Sequence, residues 1–336
     1  MNTVKNTGEF KLIEQIREIL PKHNPPSVLL GLGDDTAILK HDPTKVQLYT
    51  CDMLVENRHF RLDWIDAYRL GRRAIAVNQS DIAAMGGTPL WALISLGLPD
   101  NLEVSFFTEL FKGMRDQMAE FGGVIIGGNL AGGCQELIID VTMIGEVATG
   151  KQITRSGASI GDRLFMTGSA GMGAAGLKVL QAFGCEYKSE YADLVNAFLS
   201  PAPRVAFGRR LAELEIATAM IDISDGLSGD LGHLCESSGV GAEVDAQKLP
   251  ICSSLKAFAR ESNQSATDIA LHGGDSYELL FTVPENVQHE AIARISAETG
   301  VPVSEIGRMI PASEGVNILK EGQRHPLLTD SWDHFR

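Results

Sequence analysis

Apolar residues in this chain come in short runs, some alternating as strands do and others repeating at the 3.6-residue period of a helix, and such a mixture folds as packed layers of helix and sheet. The longest run, residues 89–99 (PLWALISLGLP), falls well below the ~18–20 residues that a membrane helix needs. The polar opening MNTVKNTGEF contains no signal-peptide core. The reading is a globular protein with no membrane partner, held in the cytoplasm. Its five cysteines, Cys51, Cys134, Cys185, Cys235 and Cys252, are odd in number and lack CxxC spacing, which suits a reducing compartment and disfavours a disulfide framework or zinc site.

At 336 residues the chain is long for one domain. Phe10, Ile13, Ile16 and Leu20 share a helical face that Pro21 ends. Strands are expected at 27–31, 46–52, 89–98, 124–126 and 137–147, with helices at 66–85 and 104–121. The Gly-, Ser- and Thr-rich stretch 149–162 marks a domain boundary, giving domains 1–150 and 151–336. Beyond it, strands are expected at 163–167, 217–223, 278–283 and 302–308, and helices at 172–183, 205–214, 226–237 and 285–298. Strands and helices mix without strict βαβ alternation, so the fold class is α+β, two mixed domains, in preference to a doubly wound sheet.

The formal charge of −14 disfavours nucleic acid, whose binding needs Lys and Arg against phosphates. The carboxylates are more informative. Four motifs put Asp at the end of β-type segments: GLGDDTA (Asp34, Asp35), YTCDML (Asp52), NQSDIAAMGG (Asp81) and IDISDG (Asp222, Asp225). One Asp beside a Gly is commonly a turn former or helix cap. Four suggest scattered oxygen ligands for magnesium, which typically bridges one or two carboxylates to substrate phosphates. GxxxxGK[ST] and the protein-kinase signatures are missing. A GxGxxG does occur at residues 171–176 (GMGAAG), but no acidic strand end follows about 20 residues on to take a ribose, so it reads as a tight strand-to-helix turn.

Taken in order along almost the whole chain, GEFKLI, GLGDDTA, DMLVENRHF, GRRAIAVNQSDIAAMGG, TRSGASIGD, SPAPR, IDISDGL, GGDSYEL and SWDHF resemble the thiamine-monophosphate kinase family. Its superfamily also holds aminoimidazole ribonucleotide synthetase, selenophosphate synthetase and a hydrogenase-maturation factor. The resemblance implies a homodimer in which the N-terminal sheets of two subunits pair into a β-barrel, with ATP in the cleft between the domains and thiamine monophosphate as acceptor. It assigns Asp35, Thr50, Asp52, Asp81, Asp222 and Asp225 to magnesium, with Cys51 near a metal through the equivalent of a backbone or hydroxyl group. Gly128, Arg155 and Ser224 fall at ATP positions; His59, Asp275 and Trp332 fall at substrate positions. Asp34 is set apart from Asp35, since adjacent side chains of an extended segment point to opposite faces.

An ionised phosphate acceptor needs no general base, so direct in-line transfer with no covalent enzyme intermediate is expected, Arg155 steadying the ATP phosphates. Three departures stand out. Asn129 occupies a metal and ATP position where the family has Asp, and GGDSYEL replaces GGEDYEL at Asp275 and Ser276. Cys51 and Met53 stand where hydroxyl residues are common. They leave as the alternative a non-catalytic or specificity-shifted nucleotide-binding paralogue. Selenophosphate synthetase and the hydrogenase factor are disfavoured because no cysteine precedes Cys51 and the chain ends DHFR.

Overall fold

The computed structural model describes residues 3–33 and 35–328. By contacts the chain divides into two compact units, one formed by Met1–Ile82 with Thr88–Thr149, the other by Ala83–Gly87 with Gly150–Arg336.

The first unit opens with helices α1 (Val4–Thr7) and α2 (Glu9–Ile19), continues through a small hairpin, β1 (Val28–Leu30) and β2 (Ile38–Leu39), and then builds a four-stranded sheet. Its strands are β3 (Lys45–Val55), β4 (Thr88–Pro99), β5 (Val124–Cys134) and β6 (Ile138–Ala148), in the order β3-β6-β4-β5. The β4–β5 pair is parallel and the rest antiparallel. Helices α3 (Ala67–Ala84) and α4 (Val104–Ala119) separate the strands. Glycines let these two helices touch: a Cβ on Gly71 would stand 2.0 Å from the Leu110 carbonyl, and one on Gly113 2.0 Å from that of Tyr68. The buried amides of Gln79 and Gln117 then join them at 2.9 Å, so Gln79 of the polar run NQS locks one helix to the other.

The alternation of β3 sorts its residues by face. Tyr49 and Met53 are 65% and 52% exposed, and Cys51 lies between them on that open face. Thr50, Asp52 and Leu54 take the other, where Ile82 of α3 lies against Gly145 of β6. The hairpin β1–β2 covers one end of the open face, with Val28, Trp91, Ile126 and Ile144 as a small core.

The second unit is a seven-stranded mixed sheet, order β13-β12-β9-β11-β7-β10-β8, formed by β7 (Arg163–Thr167), β8 (Ala219–Ile223), β9 (Val240–Asp245), β10 (Glu278–Val283), β11 (Val303–Pro311), β12 (Val316–Lys320) and β13 (Gln323–Pro326). Its helices are α5 (Met172–Phe183), α6 (Ala192–Leu199), α7 (Val205–Leu214), α8 (Leu227–Ser238), α9 (Ser253–Glu261), α10 (Ala266–His272) and α11 (His289–Thr299). Leu164, Met166, Ile221, Leu231, Leu280 and Ile306 belong to its main core. A buried ion pair knits three motifs: Glu278 accepts from Arg204 Nε at 2.6 Å and from Thr167 Oγ1 at 2.6 Å, and Thr167 Oγ1 in turn accepts the Leu279 N–H at 2.8 Å.

Both units mix strands and helices as the sequence pattern implies, with parallel pairs at β4–β5 and β9–β12. Two expectations need correction. The strand expected at 124–126 runs to Cys134, because the glycine-rich GGNLAGG has no apolar alternation yet ladders onto β4. The helix expected from 285 begins at His289. Elements α6, α9, α10, β9, β12 and β13 had no counterpart in the sequence reading. No helix among the described residues is long and apolar enough to cross a membrane.

Candidate functional site

In the first unit, Thr50 donates its hydroxyl hydrogen to Asp81 Oδ2, joining β3 to α3. Asp52, two residues along the same strand, shares the Thr50 face. Helix α3 presents Asp81 because the glycine crossing and the Gln79–Gln117 lock fix its position over the sheet. Three oxygen-bearing side chains thus share one face, which is hard-ligand chemistry suited to magnesium.

Cys51 does not join them. Its thiol is on the opposite face, donating to Asp140 Oδ1 at 3.0 Å and accepting from Thr142 at 3.7 Å. The Asp140 hydrogen bond, then burial, push that thiol above its ordinary pKa. Asn129 is also displaced from the Thr50 group. It lies on β5, at the other edge of the sheet from β3, and is exposed. Three strand spacings, about 14 Å, separate those edges, too far for one ion to take ligands from both within one chain. The neighbouring Gly128 is required by packing, since a Cβ there would stand 1.9 Å from the Ile94 carbonyl. Asp35 is exposed on the loop between β1 and β2; Asp34 and Trp332 lie outside the described residues.

His59 follows β3 and is half-buried. Its Nδ1 accepts the Val55 N–H at 2.9 Å, which puts the ring proton of the neutral imidazole on Nε2 and leaves that edge a hydrogen-bond donor.

In the second unit, β8 carries Asp222, 4% exposed, one residue before its end and turns through Ser224 and Asp225 into α8. The segment GGDSYEL holds this turn. Asp275 N–H donates to the Ser224 carbonyl and Tyr277 N–H to that of Ile223, each at 2.8 Å. To do so, Asp275 and Tyr277 adopt left-handed backbone angles, φ 58° and 53°, strain of the kind that collects at functional sites. The Asp275 carboxylate accepts the Tyr277 hydroxyl at 2.9 Å, and the buried Ser276 hydroxyl has no hydrogen-bond partner among the described residues.

The glycine motif 171–176 supports the same region from behind. A Cβ on Gly173 would be 2.0 Å from the Asp275 carbonyl, and one on Gly176 2.1 Å from that of Leu194. These glycines are used for close approach of protein backbone, which explains a GxGxxG with no ribose partner.

Asp230 is a residue the sequence reading missed. Its carboxylate accepts N–H groups of the turn from within α8. Burial, and then the Asp225 carboxylate, push it up to about 7. Its signal was an Asp five residues after Asp225 in IDISDGLSGD, which looks like ordinary helix polarity until the turn is seen.

Arg155 is placed by main chain. The Thr154 carbonyl accepts the Met220 N–H of β8 at 2.9 Å, and the Arg155 carbonyl accepts from Ser238 Oγ at 3.0 Å. Its exposed guanidinium makes no ion pair among the described residues. Among the described residues, no three His, Cys, Asp or Glu side chains gather as a ready-made metal group.

Residues 33–147 match the AIR synthase related protein, N-terminal domain, and residues 159–320 match its C-terminal domain. The chain is 37% identical over 332 residues to the thiamine-monophosphate kinase of Escherichia coli (strain K12), covering 98% of each. It belongs to the thiamine-monophosphate kinase family. Among solved structures, the thiamine-monophosphate kinase from Stenotrophomonas maltophilia K279a is 33% identical with a TM-score of 0.83, over 95% of this chain and 98% of that one. AaThiL complexed with AMPPCP and TMP is 34% identical with a TM-score of 0.78, over 98% of both chains. Family membership accounts for the order of the motifs from GLGDDTA to GGDSYEL.

Proposed function

We propose that this chain transfers the γ-phosphoryl group of ATP to thiamine monophosphate, giving thiamine diphosphate, by a direct in-line reaction that requires magnesium. The observation that carries the reading is the Thr50–Asp81 pair with Asp52 on the same face, in a chain that resembles at full length a kinase complexed with AMPPCP and TMP. Thr50, Asp52 and Asp81 in the first unit, and Asp222 and Asp225 in the second, would hold magnesium, with Asp35 as a further ligand. Magnesium, when bound, supplies positive charge that offsets the anionic phosphates.

The rest falls to the chain. Arg155 binds ATP phosphate through its exposed guanidinium, and the Ser224 hydroxyl and the Gly128 main chain line the nucleotide. His59 donates from Nε2 to the acceptor phosphate, with Asp275 and Trp332 orienting the thiamine part. The acceptor oxygen is already ionised near neutral pH, so no side chain removes a proton and none attacks. Cys51, whose thiol is hydrogen-bonded to Asp140, has no nucleophilic role in this reading.

The open face of the four-stranded sheet, with Tyr49 and Met53 exposed, supports pairing with a second copy. A dimer also gives Asn129 a route to a metal on the partner's β3 edge. The five free cysteines suit the cytoplasm.

Incubating the protein with ATP, magnesium and thiamine monophosphate should yield thiamine diphosphate and ADP. The alternative, a nucleotide-binding paralogue, draws on Asn129 and Asp275, and it predicts binding of both ligands without turnover. If Asn129→Asp raised turnover by orders of magnitude, the natural chain would be a degenerate kinase; retained activity in the natural chain and a change below about tenfold are expected.

A further inference from the structure

The turn between β8 and α8 aims three successive amides at one oxygen. Ser224, Asp225 and Gly226 donate their N–H groups to Asp230 Oδ2 at 3.1, 3.2 and 3.2 Å. Consecutive amides converging at a helix start form a concavity that binds anions, and in many proteins it cradles a phosphate. Here the anion belongs to the chain. Asp230 is 3% exposed, and its own N–H donates to the Gly226 carbonyl at 3.0 Å, so turn and helix hold each other.

Two consequences follow from this geometry. While Asp230 fills the concavity, phosphate finds no main-chain donor in this turn, and the Ser224 carbonyl is already engaged by Asp275 N–H. What the turn can give a ligand is side-chain oxygen. The orientation of its peptide planes, and so the direction of the Asp225 and Ser224 side chains, is fixed by the one acceptor the three amides share.

We propose that Asp230 is a positioning residue that fixes the Asp222–Asp225 segment for divalent-cation binding by satisfying these three amides from inside. The inference rests on the proposed role of Asp222 and Asp225 as metal ligands. Removing the acceptor would leave three amides to reorient or hydrate, and the metal-bearing carboxylates would move with them.

The test titrates manganese into the full chain in the presence of AMPPCP, with free ion counted by electron paramagnetic resonance. Asp230→Ala should weaken manganese binding by roughly tenfold or more. Asp230→Asn, whose carbonyl oxygen can still accept, should stay within about threefold. Leu234→Ala, a core change on the same helix, should lower the melting temperature and leave manganese affinity unchanged, which separates positioning from general destabilisation. Should Asp230→Ala fail to fold, Asp230→Ser replaces it, its hydroxyl being too short to reach all three amides. The proposal is overturned if the alanine or serine variant binds manganese like the natural chain, if asparagine is as weak as alanine, or if Leu234→Ala matches Asp230→Ala. Absence of manganese binding to the natural chain would instead overturn the metal assignment of Asp222 and Asp225 themselves.

Discussion

In the first unit Thr50 and Asp52 stand within a strand and Asp81 on a helix, whereas in the second the candidate ligands sit at a strand end and on a turn that neighbouring segments clamp from two sides. The first arrangement is set by periodicity: once β3 pairs with β6, alternation decides which residues look toward α3. The second is set by tertiary contacts, the amides meeting Asp230 and the strained Asp275 and Tyr277 backbone. A donor on a regular element can therefore be removed with little structural damage, while changes around the clamped turn cost stability as well as function.

The sharpest break of that contrast would come from the ligands themselves. Asp81→Asn and Asp222→Asn are each expected to lower kcat/KM by about a hundredfold or more, but only Asp222→Asn should also lower the melting temperature. A steady-state assay beside a thermal melt checks this, and equal melting losses would erase the distinction. Next in size is the Arg204–Glu278 pair behind the turn. Glu278→Ala leaves a partly buried guanidinium without its carboxylate and should cost about 3–5 kcal/mol, measured by urea denaturation; a loss below 1 kcal/mol, the ordinary value for a surface pair, would refute the claim that this region is clamped. Thr50→Val should raise the half-saturating magnesium concentration by about tenfold without changing the urea midpoint.

The smallest effect lies at the other end of the second sheet. Glu243 on β9 is buried, which acts to raise its pKa, but hydrogen bonds from Arg324 and Arg308 outweigh that and hold its carboxyl below the usual range. A depressed folded-state pKa gives stability that is present above the unfolded value and lost as pH falls through the folded one. Acid melts of Glu243→Gln should therefore show a shallower loss of stability below about pH 4.5, with both candidate ligand groups untouched.

Much of this molecule was legible from residues alone. The strand YTCDML was legible with Thr50 and Asp52 on one face, but the family resemblance keeps Cys51 near the metal, although the same alternation puts its side chain on the other face. What could not be read was anything fixed by partners distant in sequence. The Asp230 contacts depend on how a helix leaves its turn, and the glycines of GMGAAG depend on where Asp275 and Leu194 come to lie. The long β5 escaped because glycines carry no hydrophobic period, and the separation of Asn129 from β3 follows from strand order, which no local pattern encodes.

The hydrogen bond from Met220 to Thr154 has a consequence for folding. Strand β8 is the last in its sheet, and the loop carrying Arg155 pairs with part of its outer edge. A nascent chain whose loop has not yet docked exposes that row of amides and carbonyls to other chains, the usual invitation to edge-to-edge aggregation. The proposed nucleotide contact and the protection of newly made protein thereby fall to neighbouring residues, so a lesion in this loop is expected to reduce soluble yield as well as the proposed hold on phosphate.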